Sequence, residues 1–166
     1  MTVTDDKPAR RVVAIDGPAG TGKSTIVRAL VARGYKAVDA DDGMTEPLPD
    51  GRQRWREDAV EELLNTEDAD LLFLAGCEEN QATFMSRFDD VILLSAPRET
   101  LLRRLAIRPD NPFGKDPGEL ERILHDLDTI EPLLRSVANH EIRTTGSVDE
   151  ALSSILGLVE TGEVTR

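Results

Sequence analysis

Short unbroken apolar runs alternate along the chain with longer stretches in which apolar residues return every three or four positions. RVVAID (11–16), KAVDA (36–40), DLLFLA (70–75), VILLSA (91–96) and HEIRTT (140–145) read as strands. The first, third and fourth are continuously apolar rather than alternating. A strand needs that pattern when both its faces are covered, which predicts a parallel sheet between layers of helix.

The intervening stretches have helical period. Thr25–Arg33 ends before Gly34, a residue suited to a left-handed cap. In RWREDAVEELLN, Trp55, Ala59 and Leu63 fall at i, i+4 and i+8 with Val60 and Leu64 beside them, so a helix with Trp55 on its core stripe is expected. Leu101, Leu102 and Leu105 share a face in RETLLRRLAIR. A longer stripe joins Leu120, Ile123, Leu124, Leu127, Ile130 and Leu134, and Pro132 must kink or divide that helix because it removes a backbone donor. Ser147 and Glu150 open the last helix at capping-box spacing. Strand–helix alternation from end to end means an α/β fold with right-handed crossovers. No repeat or linker divides the chain, so residues 1–166 are expected to form one domain. Two segments, 41–53 and 109–118, are rich in Pro, Gly and Asp and read as loops, where function tends to sit.

Composition narrows the classes of function. The net charge of −12 would repel a nucleic-acid backbone over most of the surface. No apolar run approaches the ~20 residues that span a bilayer, and MTVTDDKPARR has no apolar segment of a secretory signal. Neither nucleic acid nor membrane is therefore an expected partner. The single cysteine, Cys77, allows no internal disulfide and fits a reducing cytoplasm. The basic residues cluster as Arg52, Arg54 and Arg56, and as Arg98, Arg103, Arg104, Arg108, Lys115 and Arg122. Such clusters serve either a small anionic ligand or surface ion pairs.

The most specific signal is GPAGTGKS at 17–24, which fits G-x-x-x-x-G-K-[ST] between a predicted strand and a predicted helix. Gly17, Gly20 and Gly22 let the backbone turn sharply and aim successive N–H groups inward, above a helix N-terminus that favours anions. Residues Gly17, Pro18, Ala19, Gly20, Thr21, Gly22, Lys23, Ser24 and Thr25 are thus the expected cradle for the phosphates of ATP. Lys23 would reach the β- and γ-phosphates and Ser24 would ligate Mg²⁺.

With this loop in this context, the chain resembles the small P-loop kinases of the adenylate kinase, shikimate kinase and gluconate kinase group. AIDGPAGTGKST is also similar to the opening of cytidylate kinases, although their larger nucleotide-clamping insert has no room here. The resemblance implies a three-layer fold around five parallel strands in the order 2-3-1-4-5, with a short lid at about 108–118 and an acceptor region at about 39–66.

The acidic turn VDADDGM lies at a strand's carboxyl end, where ligands bind in open parallel sheets. Asp39-x-Asp41 resembles the D-x-D of shikimate kinases. That likeness implies Asp39 in the Mg²⁺ shell beside Ser24, and Asp41 on the acceptor hydroxyl; a solvated turn capped by Gly43 is the bland alternative, and Asp42 is spare. LLFLAGCEEN carries no Asp directly after its apolar run, a departure from adenylate kinases that leaves Glu78 and Glu79 as substitutes. Gly76 would let substrate approach the backbone, and Cys77 reads as a small buried residue rather than a nucleophile. Arg54 and Arg56, at a helix start where cations oppose the dipole, would hold an anionic group of the acceptor unless Arg54 pairs with Asp58. Arg104 and Arg108 project from one helical face at the mouth of the lid, with Lys115 at its far end. By resemblance Arg108 packs on adenine, Gly146 and Ser147 border it, and the lid cations act on the transferring phosphate. His125 and His140 have no metal-ligand spacing and are taken as structural or exposed.

These features converge on an ATP- and Mg²⁺-dependent small-molecule kinase, its acceptor atom a hydroxyl or a phosphate. The rivals are an NTP-driven regulatory switch and a kinase acting on an antibiotic or a cell-wall sugar precursor.

Overall fold

The computed structural model describes residues 11–18, 20–107 and 117–160. The elements run β1 (Arg11–Asp16), α1 (Lys23–Ala32), β2 (Lys36–Asp39), β3 (Thr45–Pro47), β4 (Gln53–Trp55), α2 (Glu57–Thr66), β5 (Leu71–Ala75), a 3-10 segment (Glu79–Arg87), β6 (Asp90–Ser95), α3 (Arg98–Ile107), α4 (Pro117–Thr129), α5 (Glu131–Val137), β7 (His140–Arg143) and α6 (Val148–Glu160).

Five strands form one sheet in the order β2-β5-β1-β6-β7, every pairing parallel. With the two short strands β3 and β4 set aside, this is the order 2-3-1-4-5 expected from the sequence. β1 is central, so its apolar run is covered on both faces. Val13 and Ile15 pack with Ile26 and Leu30 of α1 and Leu152 and Ile155 of α6. Val12 joins the opposite layer with Trp55, Val60, Leu64, Leu72, Leu74 and Phe84. Period-two alternation thus sorts one continuous apolar run into two cores. A third cluster seats α3 on α4 through Leu101, Leu105, Ile123 and Leu127.

The punctuation residues act as expected. Gly34 follows α1 at φ 93°. Pro132 divides the predicted long helix, with α5 beginning at Glu131. The capping box closes in both directions: the Ser147 amide donates to Glu150 Oε1 at 2.9 Å, and the Glu150 amide donates to Ser147 Oγ at 3.1 Å.

The structure differs from the sequence reading between residues 41 and 56. That segment is not all loop: β3 and β4 pair as an antiparallel ribbon, with Thr45 opposite Trp55. Trp55 is therefore a strand residue, and α2 starts only at Glu57. The i, i+4 spacing was a coincidence of two adjoining elements, and tertiary pairing overrode it. The 3-10 segment after β5 also carried no apolar period.

Replacing Ser147 by Ala removes one of the two capping bonds. The variant is expected to lose about 1 kcal/mol of stability, read as a lower urea midpoint with an unchanged slope.

Candidate functional site

The loop after β1 is shaped by contacts that only glycine permits. A Cβ on Gly17 would lie 2.8 Å from the Leu94 carbonyl oxygen and 2.7 Å from Thr21 Oγ1. Gly20 and Gly22 hold φ at 88° and 100°, the left-handed region that side chains disfavour. Thr21 is fully buried and its hydroxyl donates to the Pro18 carbonyl at 2.8 Å. Helix α1 starts at Lys23 with no acidic residue in its first turn, so its N-terminal dipole is not neutralised locally. Lys23 Nζ turns back onto the Gly17 carbonyl, with Pro18 O at 3.4 Å. Ala19, of the predicted cradle, lies outside the described residues.

Beside the loop, Ser24 Oγ donates to Asp39 Oδ2 at 2.7 Å, and Asp39 Oδ1 accepts from the Asp41 amide at 3.1 Å. The P-loop and the acidic turn, fifteen residues apart in sequence, thus meet through the two groups expected to share a metal. A hydroxyl and one carboxylate are hard oxygen donors, the set Mg²⁺ accepts when phosphates and water complete its shell. Among the described residues there is no cluster of three or more His, Cys, Asp or Glu to form an all-protein cage. The pair fits Mg²⁺ in that phosphate-dependent manner.

Asp41 is an exposed residue whose carboxyl group is turned inward. Its Oδ1 accepts from Trp55 Nε1 at 3.2 Å. Removal of the carboxyl from water raises its pKa above the ordinary value, while Lys23 and the indole bond act the other way. Trp55 is wholly buried, and its ring fills the direction in which a side chain on Gly76 would point: a Cβ there would meet Cζ2 at 2.5 Å. The glycine at 76 makes room for the indole that orients Asp41. The open approach for substrate that the sequence reading gave to this position is taken up by Trp55. Cys77, next in line, has its thiol pushed up to about 11 by burial, which keeps it protonated and suits a passive role.

On the other side of the loop the walls of a cleft of about 340 Å³ include Gly20, Thr21, Gly22, Thr25, Gly146 and Ser147, which the sequence reading assigned to ATP, and Arg104, which it assigned as a catalytic cation, together with apolar residues such as Ile26, Ile107 and Val148. Arg104 Nη1 donates to the Gly20 carbonyl at 3.0 Å and to Thr144 Oγ1 at 3.1 Å, and Nη2 donates to the Thr144 carbonyl. It ties the phosphate loop to the end of β7. Arg108, Lys115 and residues 108–116 of the lid expected at about 108–118 lie outside the described residues, as does the side chain of Glu79, while Pro117 and Gly118 already belong to α4.

The remaining basic candidates are engaged at the surface. Arg54, on β4, donates to Glu46 at 2.7 Å, and Arg56 lies 3.6 Å from Asp58. The alternative weighed for Arg54, a pair with Asp58, belongs to Arg56 instead, because Arg54 sits on the ribbon rather than the helix. Arg98 pairs with Asp128 across α3 and α4.

Sequence reasoning missed Asp16 and Gln81. Asp16 ends β1 at 1% exposure, and its Oδ1 accepts from Gln81 Nε2. Burial raises its pKa from 3.8 to about 6; the Gln81 bond and Lys23 oppose that rise, and Asp41 adds to it. The signal was present in RVVAID: a carboxylate closing an otherwise apolar central strand.

A family model described as an AAA domain matches residues 13–125. Among curated proteins, none matches the sequence significantly. Solved structures share the fold over most of the chain. Shikimate kinase from Acinetobacter baumannii in complex with shikimate aligns with a TM-score of 0.70 and 24% identity, covering 95% of each chain. Shikimate kinase from Bacteroides thetaiotaomicron aligns at 0.65 and 18%, covering 90% of this chain and 98% of that one. A gluconokinase from Sinorhizobium meliloti 1021 aligns at 0.63 and 17%, covering 93% and 97%. Among the described residues no helix is long and apolar enough to cross a membrane.

Two predictions follow from the buried groups. Folded Asp16 keeps its proton up to about pH 6, whereas an unfolded aspartate releases it near 3.8. The folded state therefore binds more protons across that interval, and stability falls as pH rises through it. Asp16→Asn should remove this fall. In metal- and nucleotide-free urea titrations it should match the parent near pH 4 and exceed it by about 3 kcal/mol at pH 7.5; an offset that does not vary with pH would contradict the assignment. Gly76→Ala should displace the indole at a cost of about 1–3 kcal/mol. Trp55 is the single tryptophan, so a red-shifted emission reports the displacement directly.

Proposed function

The chain belongs to the AAA domain family of P-loop proteins, and on that premise we propose that it is an ATP- and Mg²⁺-dependent phosphotransferase acting on a small-molecule acceptor. The observation that carries this reading is the 2.7 Å bond from Ser24 to Asp39. It joins the phosphate loop to a turn whose next carboxylate, Asp41, is aimed by a buried indole. An oriented carboxylate beside the metal ligands suits an attacking alcohol, which must be positioned and lose its proton. The shikimate kinase and gluconokinase likenesses agree with this choice.

In the proposed reaction the loop amides and Lys23 hold the β- and γ-phosphates, with the Lys23 ammonium leaving the Gly17 carbonyl to do so. Ser24 and Asp39 hold the metal ion, which when bound neutralises phosphate charge. The cleft beside Arg104, Gly146 and Ser147 takes the base, and Arg104 keeps that cleft in register with the loop. Asp41 orients the acceptor and accepts its proton as the acceptor oxygen bonds to the γ-phosphorus. The bond from that phosphorus to the β–γ bridging oxygen breaks, and ADP leaves. Arg108 and Lys115, in the lid, are proposed to add cations as it closes. A setting in the reducing cytoplasm, without nucleic acid or membrane as partner, is consistent with one cysteine and a net charge of −12.

Labelled ATP should pass phosphate to at least one compound among sugars, nucleosides, nucleotides and hydroxy acids. Lys23→Ala should lower turnover by roughly 10²-fold or more, and Asp41→Asn by roughly 10²–10⁴-fold, with far-UV circular dichroism unchanged in both. Full turnover in either variant would remove the role assigned to that residue. ATP binding without transfer to any acceptor would remove the phosphotransferase reading.

A further inference from the structure

We propose that Asp16 is a second acceptor-binding carboxylate, and that the acceptor is therefore an uncharged or cationic alcohol with a second hydrogen-bond donor, such as a diol or an amino alcohol, rather than a phosphate. The inference rests on the phosphotransferase reading and adds the class of its acceptor.

Asp16 is 1% exposed, and its Oδ2 has no hydrogen-bond partner among the described residues. A carboxylate buried with one oxygen unmet is costly, and packing in this place would be served by another apolar residue. Lys23, whose charge acts on Asp16, has its ammonium on the Gly17 carbonyl instead. The oxygen is left for a ligand.

The sheet decides which ligand. Asp16 follows Val12 and Ala14 at period two, and so faces the layer that holds Trp55, Leu74 and Phe84. Its partner Gln81 comes from the segment after β5. The nucleotide cleft lies instead among α1, α3, α6 and the end of β7. Asp16 is thus on the acceptor side.

One chain of contacts sets the two carboxylates relative to each other. Gln81 holds Asp16, and the neighbouring Asn80 bonds both polar groups of the Trp55 backbone, accepting from its amide at 3.0 Å and donating to its carbonyl at 2.9 Å. The Trp55 indole then holds Asp41. Asp41 is close enough for its charge to act on Asp16, and carboxylate oxygens accept from O–H or N–H groups, which an alcohol offers and a phosphate dianion does not. Arg54 and Arg56, which could reverse that preference, are exposed and paired with Glu46 and Asp58.

The test uses the full chain with ATP and Mg²⁺ at pH 7.5 and two sets of acceptors. One set holds free sugars, nucleosides and amino sugars; the other, anionic set holds nucleoside monophosphates, sugar phosphates and hydroxy acids. Transfer to a member of the first set is expected. For that acceptor, Asp16→Asn should raise KM about tenfold or more while leaving KM for ATP unchanged, because the amide N–H would meet the acceptor's donor. The variant is expected to be more stable than the parent at this pH, which a thermal melt checks in the same samples. Transfer confined to the anionic set, or an unchanged acceptor KM in Asp16→Asn, would overturn the inference and leave the phosphotransferase reading in place. No transfer to either set, with ATP bound, would remove that reading and this inference with it.

Discussion

The close passage of the Gly17 backbone over the Leu94 carbonyl is the constraint on which the rest of the site depends. Any side chain at Gly17 would collide with the backbone of β6. Because the chain can pass there, β1 turns directly into the phosphate loop, and α1 begins at Lys23. That start places Ser24 against the end of β2, within hydrogen-bond reach of Asp39. The central position of β1 then sets the two sides of the site, the β7 flank for the cleft beside Arg104 and the β5 flank for the carboxylates.

The second feature is a conflict between stability and chemistry. Asp16 sits among apolar neighbours, and burial raises its pKa to about 6 although the Gln81 bond and Lys23 pull it down. Trp55 shows the converse economy. A single fully buried ring completes a hydrophobic cluster, fills the space that Gly76 leaves, and aims a carboxylate. Packing and positioning coincide there because an indole is apolar over most of its surface and has one donor at its rim. Arg104 works in a similar way on the opposite flank, where its fork meets two backbone carbonyls from elements far apart in sequence.

Much of this was legible in the chain. Strands covered on both faces must be continuously apolar, so the sheet and its parallel character could be read from 11–16, 70–75 and 91–96. Local chemistry is equally direct: the glycines of the loop, the Ser147–Glu150 cap and the break at Pro132 act within a few residues of themselves. The acidic pair at 39 and 41 was readable because it lies at a strand end, though its meeting with Ser24 was expected from likeness and not from pattern.

Other features belong to the tertiary structure alone. The ribbon of β3 and β4 depends on pairing between Thr45 and Trp55, and no period in RWREDAVEELLN distinguishes a strand residue from the first turn of the helix that follows. The partners of Arg54 and Arg56 changed with it. Whether Asp16 is solvated or enclosed depends on Gln81, sixty-five residues away in sequence. The sequence by itself determined where the chain turns and which runs are covered, since those follow from backbone freedom and hydrophobic period. Only the folded structure decided which distant polar groups meet, because a hydrogen bond between strangers in sequence is set by the geometry of the elements that carry them.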